Sequence, residues 1–443
     1  MVLKQQYRSV RREGTLLSRR LKSRFLMHQF SALRRNPRGQ WALLNSLSGR
    51  RKVRNQPSAS LNSLTETFAN IVHDPSRPAD ICLRPATQQP TTAARLSHFR
   101  PVTVAHITTL LKATNTSKSP GSDNVLPAVL KHGRDSIAVS LTDIINKSLS
   151  TGCVPDIFKN ATVSPVFKSG DAKSSTNYRP VSLLPICSKI LERVVLEQLI
   201  AFFKLYNIMY VPDNQFAYRT NSSCEDCLAL VVDEWLQALD NNEYCGIVFA
   251  DMSKAFDRVK HQELIDELKM LGIADTALAW FASYLTRRVQ RVRVGQELGG
   301  ARPCTRGVPQ GSVLGPLLFC IYTRDAPQCF QHALNQLYAD DITLYIRHKS
   351  IQTITTQLSA DLAALDRYLD QKGLVLNPSK TQFVLLRRPG KELPPGTAVN
   401  CRGTSIAPSA YARYLGILVD EHLSFSTQVD AVCATVNRKV GAF

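Results

Sequence analysis

Gln336-Leu337-Tyr338-Ala339-Asp340-Asp341-Ile342-Thr343-Leu344-Tyr345 sets two adjacent carboxylates among apolar residues of high strand propensity. Neighbouring side chains in a regular strand leave opposite faces, so Asp340 and Asp341 share a task only if the backbone turns between two flanking strands. A tight hairpin tip meets that condition. It also concentrates negative charge at one exposed corner, where a divalent cation held by hard oxygen ligands relieves the repulsion.

A third ligand candidate lies 89 residues upstream. Asp251 ends the apolar run Gly246-Ile-Val-Phe-Ala250, short enough to be a strand buried on both faces. A strand end beside a hairpin tip brings distant side chains to one sheet edge. Three carboxylates there would hold two Mg²⁺ ions about 4 Å apart, an arrangement that stabilises both the attacking and leaving oxygens of an in-line phosphoryl displacement. On spacing alone, the same residues serve equally as two solvated turn aspartates and a helix cap.

The 443 residues are 44% hydrophobic, enough for two or three subdomains around a substantial core and too apolar for a disordered chain. No stretch approaches the roughly 18 consecutive apolar residues of a membrane span, and the N-terminus is too basic and irregular for a secretory signal. The expectation is an intracellular protein whose 11 cysteines are reduced thiols. Cys224-Glu-Asp-Cys227 has no second ligand pair at zinc spacing. The formal charge of +20 is uneven: residues 1–55 hold 15 lysines and arginines against Glu13 alone. Such density favours a polyphosphate partner bound through counterion release over a merely solvated tail.

Periodicity places a basic amphipathic helix through Leu16, Leu17, Leu21, Phe25, Leu26, Phe30 and Leu33, stopped at Asn36-Pro37, and a second around Trp41, Leu44 and Leu47. Residues 55–100 read mostly as linker, with a helix option at Leu64 to Val72. Helices are expected near Ala128–Lys131, Ile137–Leu149, Lys189–Phe203, Glu225–Leu239, His261–Leu271, Thr276–Leu285, Gly311–Thr323 and Ile354–Leu369. Strands are expected at Ala161–Lys168, along Arg288 to Val294, and on both sides of Asn377-Pro-Ser-Lys380. The order describes an α+β layer with helices covering one sheet face.

Three blocks now identify a family: Ala250-Asp-Met-Ser-Lys-Ala-Phe-Asp-Arg-Val259, Arg306-Gly-Val-Pro-Gln-Gly-Ser-Val-Leu-Gly-Pro316 and Tyr338-Ala-Asp-Asp341 stand in the order and spacing of a reverse transcriptase, and resemble the non-LTR, LINE-like (jockey-like) class. Supporting blocks are Lys118-Ser-Pro-Gly-Ser-Asp123, Val166-Phe-Lys-Ser-Gly-Asp171, Asn177-Tyr-Arg-Pro-Val-Ser-Leu183, Gln215-Phe-Ala-Tyr-Arg219, Leu376-Asn-Pro-Ser-Lys380 and Tyr414-Leu-Gly-Ile-Leu418. The resemblance covers roughly residues 100 to 420.

It implies a right-hand polymerase of fingers, palm and partial thumb behind a basic helical extension, with boundaries at 1–99 (extension and linker), 100–148 (lead-in), 149–420 (reverse transcriptase domain) and 421–443 (start of the thumb). Asp251 and Asp340 would be the principal Mg²⁺ ligands and Asp341 the third acid, with Mn²⁺ a possible substitute. Phe256 resembles the aromatic gate that collides with a 2′-hydroxyl, although by composition alone it is core. Gln310 resembles the residue that contacts the incoming nucleotide. Gly311 would permit close backbone approach, with the following helix N-terminus facing phosphate. Lys168 and Arg179 resemble the residues that grip the triphosphate, and Lys380 the lysine that protonates departing pyrophosphate. Arg219, Arg288, Arg291 and Arg293 are candidates for template or primer backbone contacts. Partners would be an RNA template, a DNA primer and deoxynucleoside triphosphates, in the nucleus or a cytoplasmic ribonucleoprotein.

The chain departs from the family at Ala217 and Tyr218, where Gly and Phe are usual, and at Phe425, which stands near a usual Trp. The thumb is expected to be incomplete, and Met1 to lie inside the linker that follows an endonuclease domain, so that the chain reads as a piece of a longer frame. The alternative functions are a catalytically silent nucleic-acid-binding relic and a group II intron maturase-type enzyme. Val313-Leu-Gly-Pro316 and Ala255-Phe-Asp257 favour the LINE-like branch over the latter.

Overall fold

The run from Tyr244 to Ala250 is apolar without alternation, so a strand built from it needs cover on both faces. In the computed structural model, which describes residues 57–69, 92–219 and 222–440 and scattered positions between 24 and 39, it receives both. Residues 56–428 form one compact unit; residues 1–55 with 429–443 form a second. The two N-terminal helices expected before residue 48 fall largely outside the described residues.

In chain order, α1 (Leu61–Ala69) precedes a helical block of α2 (Val104–Lys112), α3 (Pro127–His132), α4 (Arg134–Thr151) and the single turn α5 (Asp156–Lys159). A hairpin of β1 (Asn160–Phe167) and β2 (Tyr178–Leu183) follows, then the helices α6 (Ile186–Leu205) and α7 (Cys224–Asp240). β3 (Tyr244–Ala250) leads through α8 (Ala255–Arg258), α9 (His261–Met270) and α10 (Asp275–Leu285) to β4 (Arg288–Val294), β5 (Glu297–Leu298) and β6 (Arg302–Cys304). Next come α11 (Gly315–Tyr322), the hairpin of β7 (Leu334–Tyr338) and β8 (Asp341–His348), α12 (Ile351–Gln371) and β9 (Gln382–Leu386). Two small hairpins, β10 (Val399–Cys401) with β11 (Thr404–Ile406) and β12 (Tyr411–Tyr414) with β13 (Ile417–Asp420), precede α13 (Ser426–Val440).

The central sheet is antiparallel in the order β7-β8-β3-β9. On one face Val248, Leu344 and Leu385 pack with Ile354, Leu358 and Leu362 of α12. On the other, Cys245, Ile247, Phe249 and Tyr345 meet Val231 and Trp235 of α7 and Tyr414 of β12. This corrects the expectation of helices on a single face, and the reason is the unbroken apolar run itself. At Gly246 the helix α12 comes so close that an added Cβ would stand 2.2 Å from Ile354 Cγ2.

A second sheet holds β2-β1-β4-β5, with β6 also on β4. β1 runs antiparallel to β2 and parallel to β4. Its back is covered by α1, whose Leu64 and Phe68 pack with Val163, Tyr178 and Val292. Gln290 Nε2 donates to the Phe68 carbonyl at 3.2 Å and Thr67 shares a hydrogen bond with Ser175 at 2.7 Å. The helix option inside the linker is therefore real, and it is part of the folded unit.

Two element boundaries also differ. The expected helix from Gly311 begins only at Gly315, because residues 311–314 are drawn into turns around a buried carboxylate described below. Of the strands expected around Asn377-Pro-Ser-Lys380, only β9 forms; upstream, Leu376 makes a single bridge to Met252. Gly246→Ala is expected to lower the unfolding free energy by about 1–3 kcal/mol through overpacking against Ile354 and Leu358; urea denaturation measures this, and an unchanged midpoint would refute the two-faced burial.

Candidate active site

The register of β3 against β8 decides what stands beside what. Ala250 pairs with Ile342, so one further step sets Asp251 opposite Asp341, and directly opposed residues of an antiparallel ladder share a face. Asp341 is the first residue of β8 and pairs with Tyr338, which leaves Ala339 and Asp340 as the two-residue turn. The tip is thus one residue earlier than an Asp340-Asp341 turn would place it.

Ala339 adopts a φ of +58°, a left-handed conformation that costs a residue with a Cβ about 1–2 kcal/mol. An external brace sustains it. Gln215, 1% exposed, accepts at Oε1 from the N–H of Ala339 (2.9 Å) and of Ala217 (3.0 Å), and its Nε2 donates to the Ala339 carbonyl (3.4 Å). Backbone hydrogen bonds from Phe216 to Leu337 and from Leu337 to Asn214 lay this segment along the edge of β7.

The corner is electrostatically unfavourable on its own. Burial raises the Asp340 carboxyl above the usual range and the charge of Asp251 adds to this. Asp341 stays exposed at the surface, yet partial shielding from water, with Asp340 and Asp251 contributing, pushes it up to about 6. Asp251 keeps a buried Oδ2 with no hydrogen-bond partner. Among the described residues no three acidic, histidine or cysteine side chains are already gathered as a metal shell. An orphaned carboxylate oxygen beside two acids that resist ionisation is nevertheless the donor set a hard divalent cation fits.

Cations ring these acids. Lys168 is held below the usual lysine range, first by partial burial and then by Arg179 and Lys380, with Asp251 and Asp257 opposing. Lys254, which the sequence reading passed over, is lowered by burial and feels Asp257, Arg258, Lys168 and Lys380. Lys380 arrives through the turn 377–380. The Asn377 N–H donates to the Asp251 carbonyl at 2.9 Å, and Ser253 donates to Val375 at 2.9 Å.

The loop 307–312 docks on the segment 256–259. Gly307 donates to the Val259 carbonyl and Val308 to that of Phe256. Gln310 Nε2 then donates to Asp257 Oδ2 at 2.8 Å, while the Gln310 carbonyl accepts from Ser182 of β2 at 2.8 Å. Burial pushes Asp257 up to about 6 against the pull of Gln310, Lys254, Lys168 and Arg258. Gly311 has a φ of +112°, and a Cβ there would meet the Ser182 carbonyl at 2.7 Å; the close backbone approach is to β2. Phe256 is half-buried and stacks on Phe319 of α11, with centroids 4.4 Å apart.

One expectation fails. The N-terminal amides ahead of α11 do not face outward to phosphate. Glu192 of α6, 1% exposed, accepts from the N–H of Val313 (2.7 Å) and Leu314 (3.0 Å) and from Tyr284 Oη (3.3 Å). An internal carboxylate already occupies the place an external anion would take. An acid embedded among Ile190, Leu191, Val194 and Val195 was the available signal.

The reverse transcriptase (RNA-dependent DNA polymerase) family profile matches residues 168–419. This chain belongs to the reverse transcriptase family. It is 35% identical over 345 residues to "Probable RNA-directed DNA polymerase from transposon BS" of Drosophila melanogaster, covering 75% of this chain and 37% of the relative. To "RNA-directed DNA polymerase from mobile element jockey" of the same organism it is 30% identical over 348 residues, covering 76% and 37%. It is 29% identical to "Probable RNA-directed DNA polymerase from transposon X-element", also of Drosophila melanogaster, over 350 residues, covering 78% and 38%. The chain thus spans under two fifths of the length of these relatives, and the elements it resembles are of the LINE-like, non-LTR kind.

Within this reverse transcriptase the four candidate template arginines separate. Arg288 is 4% exposed, lies over the Tyr284 ring and donates to the Tyr284 carbonyl at 2.9 Å. It offers no open face to a nucleic-acid backbone, contrary to expectation: strand alternation turns it away from Arg291 and Arg293. Those two remain on the other face of β4, beside an open cleft with Asn124 and Asn160. Arg219 closes its own loop, donating to the Asp213 carbonyl (2.8 Å) and to Asp213 Oδ1 (2.7 Å).

Asp341 yields a test of the acid corner. Its folded-state value near 6 lies above the unfolded value of 3.8, so the fold disfavours the ionised form, and that cost is present above about pH 6 and absent below about pH 4. In metal-free protein Asp341→Asn should therefore raise Tm by about 1–2 °C at pH 7.5 and leave it unchanged at pH 4; a lower Tm at pH 7.5 would count against mutual repulsion. Gln215→Ala should instead lower Tm by about 2–4 °C, a substitution that withdraws the brace from Ala339 and leaves buried amides unpaired.

Proposed function

We propose that this chain is an RNA-directed DNA polymerase of a LINE-like retrotransposon, adding deoxynucleotides to a DNA 3′ end opposite an RNA template by two-metal phosphoryl transfer. The observation that carries the reading is the β3–β8 register, which sets Asp251, with its orphaned Oδ2, opposite Asp341 at the hairpin that bears Asp340. Asp251, Asp340 and Asp341 hold the cations, Mg²⁺ or Mn²⁺ in its place. When bound, these neutralise charge on the attacking and leaving oxygens.

The chain's own residues supply binding and proton control. Lys168 and Arg179 carry charge at the mouth of the acid corner and bind the triphosphate. Lys380, hinged beside Asp251, protonates the departing pyrophosphate. Phe256, braced from behind by Phe319, bars a 2′-hydroxyl by contact. Gln310 and Gly311 line the nucleotide pocket. Arg291, Arg293 and Arg219 contact the template-primer backbone, Arg219 from an exposed loop where it also pairs with Asp213. The basic residues 1–55 add salt-sensitive affinity for RNA. No described helix is long and apolar enough to cross a membrane. The enzyme works in the nucleus or in a cytoplasmic ribonucleoprotein. The β1–β2–β4 sheet corresponds to fingers, the β3–β8 sheet to palm and α13 to the first thumb helix.

Purified protein with an oligo(dT) primer on poly(rA), Mg²⁺ and dTTP tests this. Wild type should extend the primer and Asp340→Asn should lose at least about 1,000-fold in rate. Phe256→Val should accept UTP; continued exclusion would sink the gate. If wild type fails to extend while binding RNA in a salt-sensitive way, the chain is a nucleic-acid-binding relic.

A further inference from the structure

Gln310 reaches across 53 positions of sequence to a carboxylate to which no part of the proposed chemistry assigns a role. Asp257 lies on the single-turn helix α8, six residues beyond Asp251, and its carboxylate is engaged by Gln310. Its immediate surroundings are built to hold it. The backbone pairs Gly307–Val259 and Val308–Phe256 zip the loop 307–310 against residues 256–259. Gly307, at φ +83°, lies so near that an added Cβ would stand 2.8 Å from the Asp257 carbonyl. The Gln310 carbonyl is fixed on its other side by Ser182. The amide therefore sits on a backbone held from both sides, and its partner decides which end faces Asp257.

That choice decides chemistry. An amide has a donor end and an acceptor end of nearly equal size, and a partner fixes which way it points. An ionised carboxylate accepts only, so Asp257 binds the NH₂ end and the carbonyl oxygen is turned to the opposite side.

We propose that Asp257 is a positioning residue that locks the Gln310 amide in one orientation, so that the nucleotide pocket presents a hydrogen-bond acceptor, Gln310 Oε1, and not a donor. This rests on the reading of Gln310 as a pocket residue. A neutral partner at 257 accepts and donates alike, allowing both orientations, and the pocket then offers the wrong group for part of the time. Burial raises the Asp257 carboxyl to about 6, and Gln310, Lys254, Lys168 and Arg258 pull against that rise, so the group is ionised above pH 7.

Steady-state primer extension on poly(rA) with dTTP, run on wild type and four variants, tests the lock. Asp257→Asn should raise KM for dTTP about 5- to 10-fold with kcat changed less than about 2-fold, and should keep the wild-type circular dichroism and Tm within about 2 °C. Gln310→Glu alone sets two carboxylates face to face and should be worse in KM. Combined with Asp257→Asn, Gln310→Glu regains a donor–acceptor pair of the same shape with an acceptor turned outward, and KM should return to within about 3-fold of wild type. That recovery is a readout a merely structural residue would not give. If Gln310→Ala leaves KM unchanged, the pocket reading itself fails. If Gln310→Ala raises KM while Asp257→Asn does not, or if the double substitution is no better than the two effects multiplied, the positioning role is refuted and the pocket reading stands.

Discussion

Like charges gathered at one end of a sheet repel, and the fold has to hold them there by means other than their own attraction. The means is the ladder between β3 and β8: seven consecutive residue pairs from Tyr244–His348 to Ala250–Ile342, continued on the far side of β3 by β9. Because the strand is buried on both faces, a slip of one residue would put a side chain where only Gly246 clears Ile354 and would separate Asp251 from Asp341 at once. Hydrophobic burial thereby fixes the geometry of groups that electrostatics alone would drive apart. The left-handed Ala339 and its Gln215 brace extend the same logic to the turn: the local conformation is unfavourable, and contacts from another part of the chain hold it.

The second organising device is the loop 307–314, pinned from three sides by β2 through Ser182, by the 256–259 segment through backbone pairs, and by Glu192 from below. Each pin comes from a different region of sequence, and none is a charge facing solvent. A loop so fixed is a rigid platform in spite of having little regular structure. With the N–H groups ahead of α11 satisfied internally, attraction for an anionic ligand has to come from side chains such as Lys168, Arg179, Lys254 and Lys380.

What could be read directly from the residues was whatever depends on local pattern. Period-2 and period-3.6 runs placed the central strands and the long helices, and the bare carboxylate pair pointed to a turn because two adjacent acids have no other shared use. The family resemblance supplied the partners. Illegible were the features that depend on contacts between distant parts of the chain: the Gln215 brace, the Glu192 anchor, the Asp257–Gln310 pair and the second covering of the central sheet. Alternation did carry one signal that went unused, since Arg288 and Arg291 are three apart on a strand and must face opposite ways. The late start of α11 was hidden because Val313 and Leu314 continue the apolar run of the helix they precede.

The family match begins at Lys168, one residue after β1 and inside the connection to its hairpin partner. The cooperative unit begins much earlier. Ala59, Leu64 and Phe68 complete the core behind Val163, Tyr178 and Val292, and Phe99 is wedged edge-on against Trp280 and Phe281. What can be recognised as a reverse transcriptase and what can be excised as one are therefore different lengths of chain. A shortened protein cut at the recognisable boundary would lose a strand from the middle of its second sheet and uncover two apolar surfaces, so the natural joint for recombination or expression lies before Ala59, more than a hundred residues upstream of where the similarity starts.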